Sequence, residues 1–79
     1  MLVAVEAPDV QSAMTLVRRL VTSIGGEAVS MAASSGEVRV DASERTLVET
    51  LDTVEEWLAD LQLDHARVRC DGRTYTMRR

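Results

Sequence analysis

The sequence predicts an α+β fold in which two helices pack on one face of a five-stranded antiparallel sheet. Three observations carry that prediction. Asp71-Gly72 separates two alternating runs near the end of the chain, the strongest short-range signal for a β-hairpin. Residues 10–24 and 43–61 repeat apolar side chains at spacings of three and four, the period of amphipathic helices. Short runs rich in Val and Ala, bounded by Pro, Gly and Ser, occupy the stretches before and between the helices and read as strands.

Leu2 to Glu6 is the first strand, stopped by Ala7-Pro8. It is apolar at nearly every position, as a central strand with neighbours on both edges should be. Asp9 is placed to cap the first helix, whose expected buried stripe is Val10, Ala13, Met14, Val17, Leu20, Val21 and Ile24. Gly25-Gly26 closes it with a residue at positive φ. Two further strands are expected at Glu27 to Ala33 and Glu37 to Ala42. With Ser35-Gly36 as a two-residue turn, Met31 faces Val40, Ala33 faces Val38 and Val29 faces Ala42, while Ser30 lies beside Asp41 and Ala32 beside Arg39. That register sorts both strands into one apolar and one polar side, which a slip of one residue would undo. A three-residue loop would alter the pairing.

Ser43 is the expected cap of the second helix, with Glu44 in its first turn. Leu47, Leu51, Val54, Leu58 and Leu61 form its stripe, and Trp57 reads as an aromatic at the edge of the core whose indole N–H needs a partner if buried. The heptad-like spacing is too short for a sustained coiled coil, so the helix is read as packed on the sheet. In the closing hairpin Val68 pairs with Tyr75, Ala66 with Met77 and Cys70 with Arg73, and the apolar members turn to the core.

The resulting order, β-α-β-β-α-β-β, contains the split βαβ, ferredoxin-like arrangement with an added C-terminal edge strand. Right-handed crossovers place the first strand between the third and fourth, which gives the spatial order 5-4-1-3-2. One face of the sheet is then left uncovered. It carries Leu2, Ala4 and Glu6 from the first strand, Glu37, Arg39 and Asp41 from the third, and Arg67, Arg69, Thr74, Thr76 and Arg78 from the hairpin.

Seventy-nine residues suit one domain, 1–79, and a chain this short buries only about 60–65% of the surface that its unfolded form exposes. The single cysteine cannot form an internal disulfide, and small secreted domains usually need several, so the expected compartment is the reducing cytoplasm. No signal-peptide pattern and no apolar run of membrane-spanning length is present. All nine basic residues are arginine, read as a compositional bias of the source genome. Residues 44–64 carry seven acids against one arginine, and residues 65–79 carry five arginines against one aspartate. This polarity is the main functional clue.

Catalysis has little to work with. His65 is the only histidine and faces away from Cys70 in the expected hairpin, so no Cys-His pair forms. Metal binding needs three or four converging ligands, and Asp64-His65 supplies two. Neither a metal nor a cofactor is expected. Gly25-Gly26 ends a helix instead of opening one, and so lacks the N–H groups of a phosphate loop. RNA-recognition modules share the strand order but stack bases on aromatics of their central strands, and the central strands here have none. The net charge of −4 also opposes nucleic acid. The element order further resembles sensing domains of the ACT type, which hold amino acids near the first strand–helix turn. Here that turn is Ala7 to Ser12, with Asp9 where such domains commonly place a glycine.

The expected function is therefore a non-catalytic interaction or regulatory module. Its contact would be a second copy of itself or a component of a larger assembly, met through the open face or the final edge strand. The candidate contact residues are Arg39, Arg67, Arg69, Thr74, Thr76 and Arg78. A sensor that holds an anionic metabolite on Arg39, Arg67 or Arg69 is the alternative, with weak RNA binding on the same residues after it.

Overall fold

A computed structural model describes residues 1–32 and 36–78. The chain runs β1 (Leu2–Glu6), α1 (Val10–Ile24), a single 3₁₀ turn (Gly26–Ala28), β2 (Val29–Ala32), β3 (Glu37–Asp41), α2 (Glu44–Asp60), β4 (His65–Cys70) and β5 (Arg73–Arg78). All strand pairs are antiparallel, in the order β2-β3-β1-β4-β5. That is an α+β fold with two helices and a five-stranded antiparallel sheet, and its strand order matches the one expected. β1 is the central strand, and its inward residues Val3 and Val5 are fully buried with Val38 and Val40 of β3 and Val68 of β4. Both helices close over that side, adding Ala13, Leu16 and Leu20 from α1 and Val54, Trp57 and Leu58 from α2.

Both helix starts are capped as expected. Asp9 Oδ1 accepts the Ser12 N–H at 2.7 Å, and the Ser43 side chain accepts from the Thr46 N–H while Thr46 Oγ1 accepts from the Ser43 N–H at 2.8 Å. Each closes a donor that the first turn of a helix cannot satisfy internally. α1 ends at Gly25, whose φ of 97° is open to glycine, with its N–H bonded to the Val21 carbonyl. α2 ends without a glycine. Gln62 takes φ 56°, its N–H reaches the Ala59 carbonyl and the Leu63 N–H reaches that of Leu58. This is the paired closure of a Schellman motif, with Leu63 packed against the core cluster that includes Leu58.

The buried faces of the helices depart from expectation. In α1 the buried residues are Ala13, Leu16 and Leu20, with Val17 and Ile24 partly covered, whereas Val10, Met14 and Val21 are exposed. In α2, Thr50 and Thr53 are buried, Leu47, Leu51 and Leu61 are half-buried, and Trp57 is fully buried, not at the core edge. Both shifts have one cause. The helices pack on each other as well as on the sheet, so each buried stripe rotates toward the other helix. Trp57 Nε1 donates to the Ser12 carbonyl at 3.0 Å, and Thr53 Oγ1 reaches Ser23 Oγ at 3.3 Å. Thr50 and Thr53 also donate to carbonyls one turn back, at 2.7 and 2.8 Å, which satisfies hydroxyls that would be costly to bury alone.

The β2–β3 pairing is a second correction. Val29 faces Val40, Ser30 faces Arg39, Met31 faces Val38 and Ala32 faces Glu37. The expected partners are offset by two residues, and the expected places of Ala33, Ser34 and Ser35 lie outside the described residues. The 3₁₀ turn delays β2 to Val29, and the expected Ser35-Gly36 turn falls partly outside the described residues. An even offset keeps every side chain on its expected face, so the apolar pattern does not oppose it. β3 also stops one residue early, at Asp41.

The closing hairpin has the expected register throughout, with Asp71 and Gly72 at φ 54° and 78°. Its apolar half is less of a lid than expected. Val68 is buried and Met77 half-buried, but Tyr75, on the last strand of the sheet, is 52% exposed.

Two measurements check this packing. Trp57→Ala should cost about 3–5 kcal/mol, read from urea denaturation followed by circular dichroism, whereas Val48→Glu on the exposed side of α2 should change stability by no more than about 0.5 kcal/mol. Gln62→Gly should stabilise the chain by about 1 kcal/mol by relieving the left-handed residue. A loss of stability would remove the Schellman assignment.

Candidate functional site: the open sheet face and the β5 edge

On the face away from the helices, strand alternation lines up Glu37 and Arg39 of β3, Ala4 and Glu6 of β1, Arg67 and Arg69 of β4, and Thr74, Thr76 and Arg78 of β5. The register sets their neighbours. Ala4 stands between Arg39 and Arg69, and Glu6 between Glu37 and Arg67.

Glu37 is the hub of this face. Its Oε1 accepts from Arg39 Nε at 2.7 Å, and its Oε2 from Arg69 Nη2 at 3.0 Å. β3 and β4 are two strand spacings apart, about 9.6 Å, so Arg69 must cross β1 to reach Glu37. It does so over Ala4, whose small side chain leaves room, and Ala4 is only 5% exposed although it lies on the uncovered face. The hydrogen bond from Arg39, joined by the charge of Arg69, holds the Glu37 carboxyl below the ordinary glutamate range despite its partial burial. Glu6 and Glu37 are directly opposed, a like-charge pair that is unfavourable by itself. Arg67 answers it from the other side, 3.8 Å from Glu6.

Three of the six expected contact residues, Arg39, Arg67 and Arg69, are thus tied into this intramolecular network. Asp41, also on this face, makes no ion pair with any of them. The other three, Thr74, Thr76 and Arg78, lie together on β5, at the end of the sheet order. All three are exposed. Among the described residues, Arg78 makes no ion pair, and neither does Arg73. His65 faces Arg78 across the hairpin. The structure therefore splits the expected site into a satisfied network at the sheet centre and an unsatisfied edge.

The sequence places Glu37 and Ala4 on this face, and the register that sets Glu6 opposite Glu37 and Ala4 between two arginines makes them the centre of the network. Tyr75 is exposed on the helix side of β5, and no sequence signal gives the reach of α2 over that strand.

A groove of about 620 Å³ lies at one end of the sheet, lined by Glu6, Pro8, Asp64, His65, Arg67 and Arg78 among others. Its charges are mixed, and Arg39 and Arg69 are not part of it. Cys70 is half-buried on the helix side of β4, with its thiol 3.0 Å from Met1 Sδ, and His65 is exposed on the opposite face. Among the described residues, no group of three His, Cys, Asp or Glu side chains is placed to hold a metal ion, and no helix is long and apolar enough to cross a membrane. Comparison with protein families, with curated proteins and with solved structures gives no match to this chain.

The Glu37 network has a pH signature. Because its pKa is lower folded than unfolded, its contribution is fully present above the ordinary glutamate value of about 4.3 and is lost as pH falls through the lowered value. Glu37→Gln should remove that acid-side loss. Above the window the variant should be less stable by about 1 kcal/mol or less, the range of exposed ion pairs. Thermal unfolding of both proteins between neutral pH and strongly acidic pH checks this, and parallel profiles would rule the hub out.

Proposed function

We propose that this chain is a non-catalytic interaction module that joins a second copy or a component of a larger assembly through the outer edge of β5 and the sheet face beside it. The observation that supports this most directly is the state of β5, a six-residue strand at the end of the sheet with Arg73 to Thr76 exposed. Unpaired N–H and C=O groups on a strand edge are a template for another strand. β2, at the other edge, has four residues and is mostly half-buried, so it offers less. In this reading the build is ferredoxin-like, with β5 added to the six-element core as the contact strand, and the place of action is the cytoplasm.

A sensor for a small anionic ligand is the second reading, favoured by the groove that brings His65, Arg67 and Arg78 together. Two of the three arginines expected to hold such a ligand, Arg39 and Arg69, are engaged by Glu37. An RNA platform gains no support, because Trp57 is buried and Tyr75 lies on the helix side of the sheet.

Sedimentation velocity assigns the form of the association. A mass that rises above the 8.7 kDa of one chain with concentration gives pairing between copies, and a constant mass gives docking on a different partner. In both cases the outward amides of Thr74, Thr76 and Arg78 should exchange with solvent much faster in the isolated single chain than those of Arg73, Tyr75 and Met77. Slow exchange of the outward set in the single chain would mean that the edge is already closed, and the proposal would fail.

A further inference from the structure

We infer that the β5 edge takes an extended peptide segment that alternates acidic and apolar residues, added to the sheet as a further strand. This rests on the proposal that the β5 edge is the contact, and it names the chemistry of the occupant.

The backbone fixes which groups are free. Asp71 and Gly72, both at positive φ, form a two-residue turn that makes Cys70 and Arg73 the first cross-strand pair. In such a hairpin that pair shares hydrogen bonds, and bonded and non-bonded pairs alternate after it. Arg73, Tyr75 and Met77 therefore turn their N–H and C=O groups to β4. Those of Thr74, Thr76 and Arg78 point away from the sheet, toward any added strand.

The two sides of this edge differ in charge. On the open side stand Thr74, Thr76 and Arg78, with Arg69, Arg67 and His65 directly behind them on β4. Glu37 and Glu6 answer Arg69 and Arg67, while Arg78 has no ion pair among the described residues. An acidic side chain on the added strand would meet Arg78 on this side, and a lysine would be repelled. On the helix side stand Arg73 beside the turn, then the exposed Tyr75 and the half-buried Met77. Thr53 and Trp57 of α2 touch α1, so the helical period puts Val48, Leu51 and Glu55 on the opposite flank, toward β5. Val48 is 63% exposed and Leu51 half-buried. Along Tyr75 and Met77, away from Arg73 at the turn, an apolar side chain suits this side, and an acid there would meet Glu55.

A second copy fits less well. Its own β5 would place another Arg78 on the already cationic open side, and the acidic flanks of two α2 helices would approach each other across the pair. A strand with acids on one face and apolar residues on the other avoids both conflicts.

The test is a titration of the isotope-labelled full chain, read by amide shifts and hydrogen exchange. The probes are a blocked synthetic peptide of three Glu-Val repeats, its Lys-Val counterpart, and a peptide in which the same glutamates and valines are segregated. The Glu-Val peptide should bind roughly tenfold or more tighter than either control, with slowed exchange at Thr74, Thr76 and Arg78. Thr76→Pro, which removes an outward N–H at an edge position that tolerates proline, should weaken binding by a similar factor. Arg78→Glu should reverse the preference between the glutamate and lysine peptides, and it keeps the test open if the proline variant does not fold. Equal binding of the lysine or segregated peptide, an unchanged affinity in both variants, or no binding at about 1 mM peptide would overturn the proposal. If the outward amides of the chain alone gain protection as its concentration rises while no peptide binds, the edge pairs with a second copy. That outcome overturns this inference but leaves the broader one standing. If neither peptide nor concentration changes those amides, this inference falls, and the broader one is decided by whether the outward amides exchange fast in the single chain.

Discussion

β1 carries two demands at once, and the rest of the chain is arranged around them. It pairs with β3 on one side and β4 on the other, so its backbone is satisfied only when both hairpin-like halves of the chain have come together. Its side chains are then enclosed from above and below. Val3 and Val5 meet the helices, and Ala4 lies under the arginines of the open face. A larger residue at position 4 would lift Arg69 from Glu37, and a polar one at 3 or 5 would face an apolar core. Five residues thus set the strand order, the depth of the core and the span of the charge network.

The one-sided covering of the sheet has a second consequence. Buried apolar surface is concentrated between helices and sheet, and the open face is stabilised by hydrogen-bonded ion pairs of modest individual worth. Those pairs reduce the number of free cations from the apparent stripe of arginines to a few at the margin. The unpaired positive charge of the open face is therefore not spread over the sheet. It is focused on β5, which differs from the short and half-buried β2 in length, exposure and charge.

Much of the fold was legible. The capping residues Asp9 and Ser43, the Asp71-Gly72 turn and every pair in the closing hairpin follow from local chemistry, since each depends on residues close in sequence. The partner-facing side of each helix was less legible. Val10, Met14 and Val21 are as apolar as Leu16, and nothing local says that α1 leans toward Trp57 and away from them. The β2–β3 register was readable only to its parity, because alternation distinguishes odd from even offsets and no more. The site was legible as a set of residues on one face. It was not legible as a hub and an edge, since that division depends on Arg69 reaching across β1 to Glu37.

The sequence by itself determined which segments are helices and strands, where the helices begin, and which side of each strand meets the core. These are properties of periodicity, capping and turn chemistry, all of short range. The tertiary structure decided how the helices rotate against each other, which arginines are neutralised, and how far α2 reaches over β5. Each of these depends on distances between residues far apart in the chain. Tyr75 shows the difference most plainly: its alternation assigns it to the core side, and in the folded chain it stands on the edge strand half in solvent.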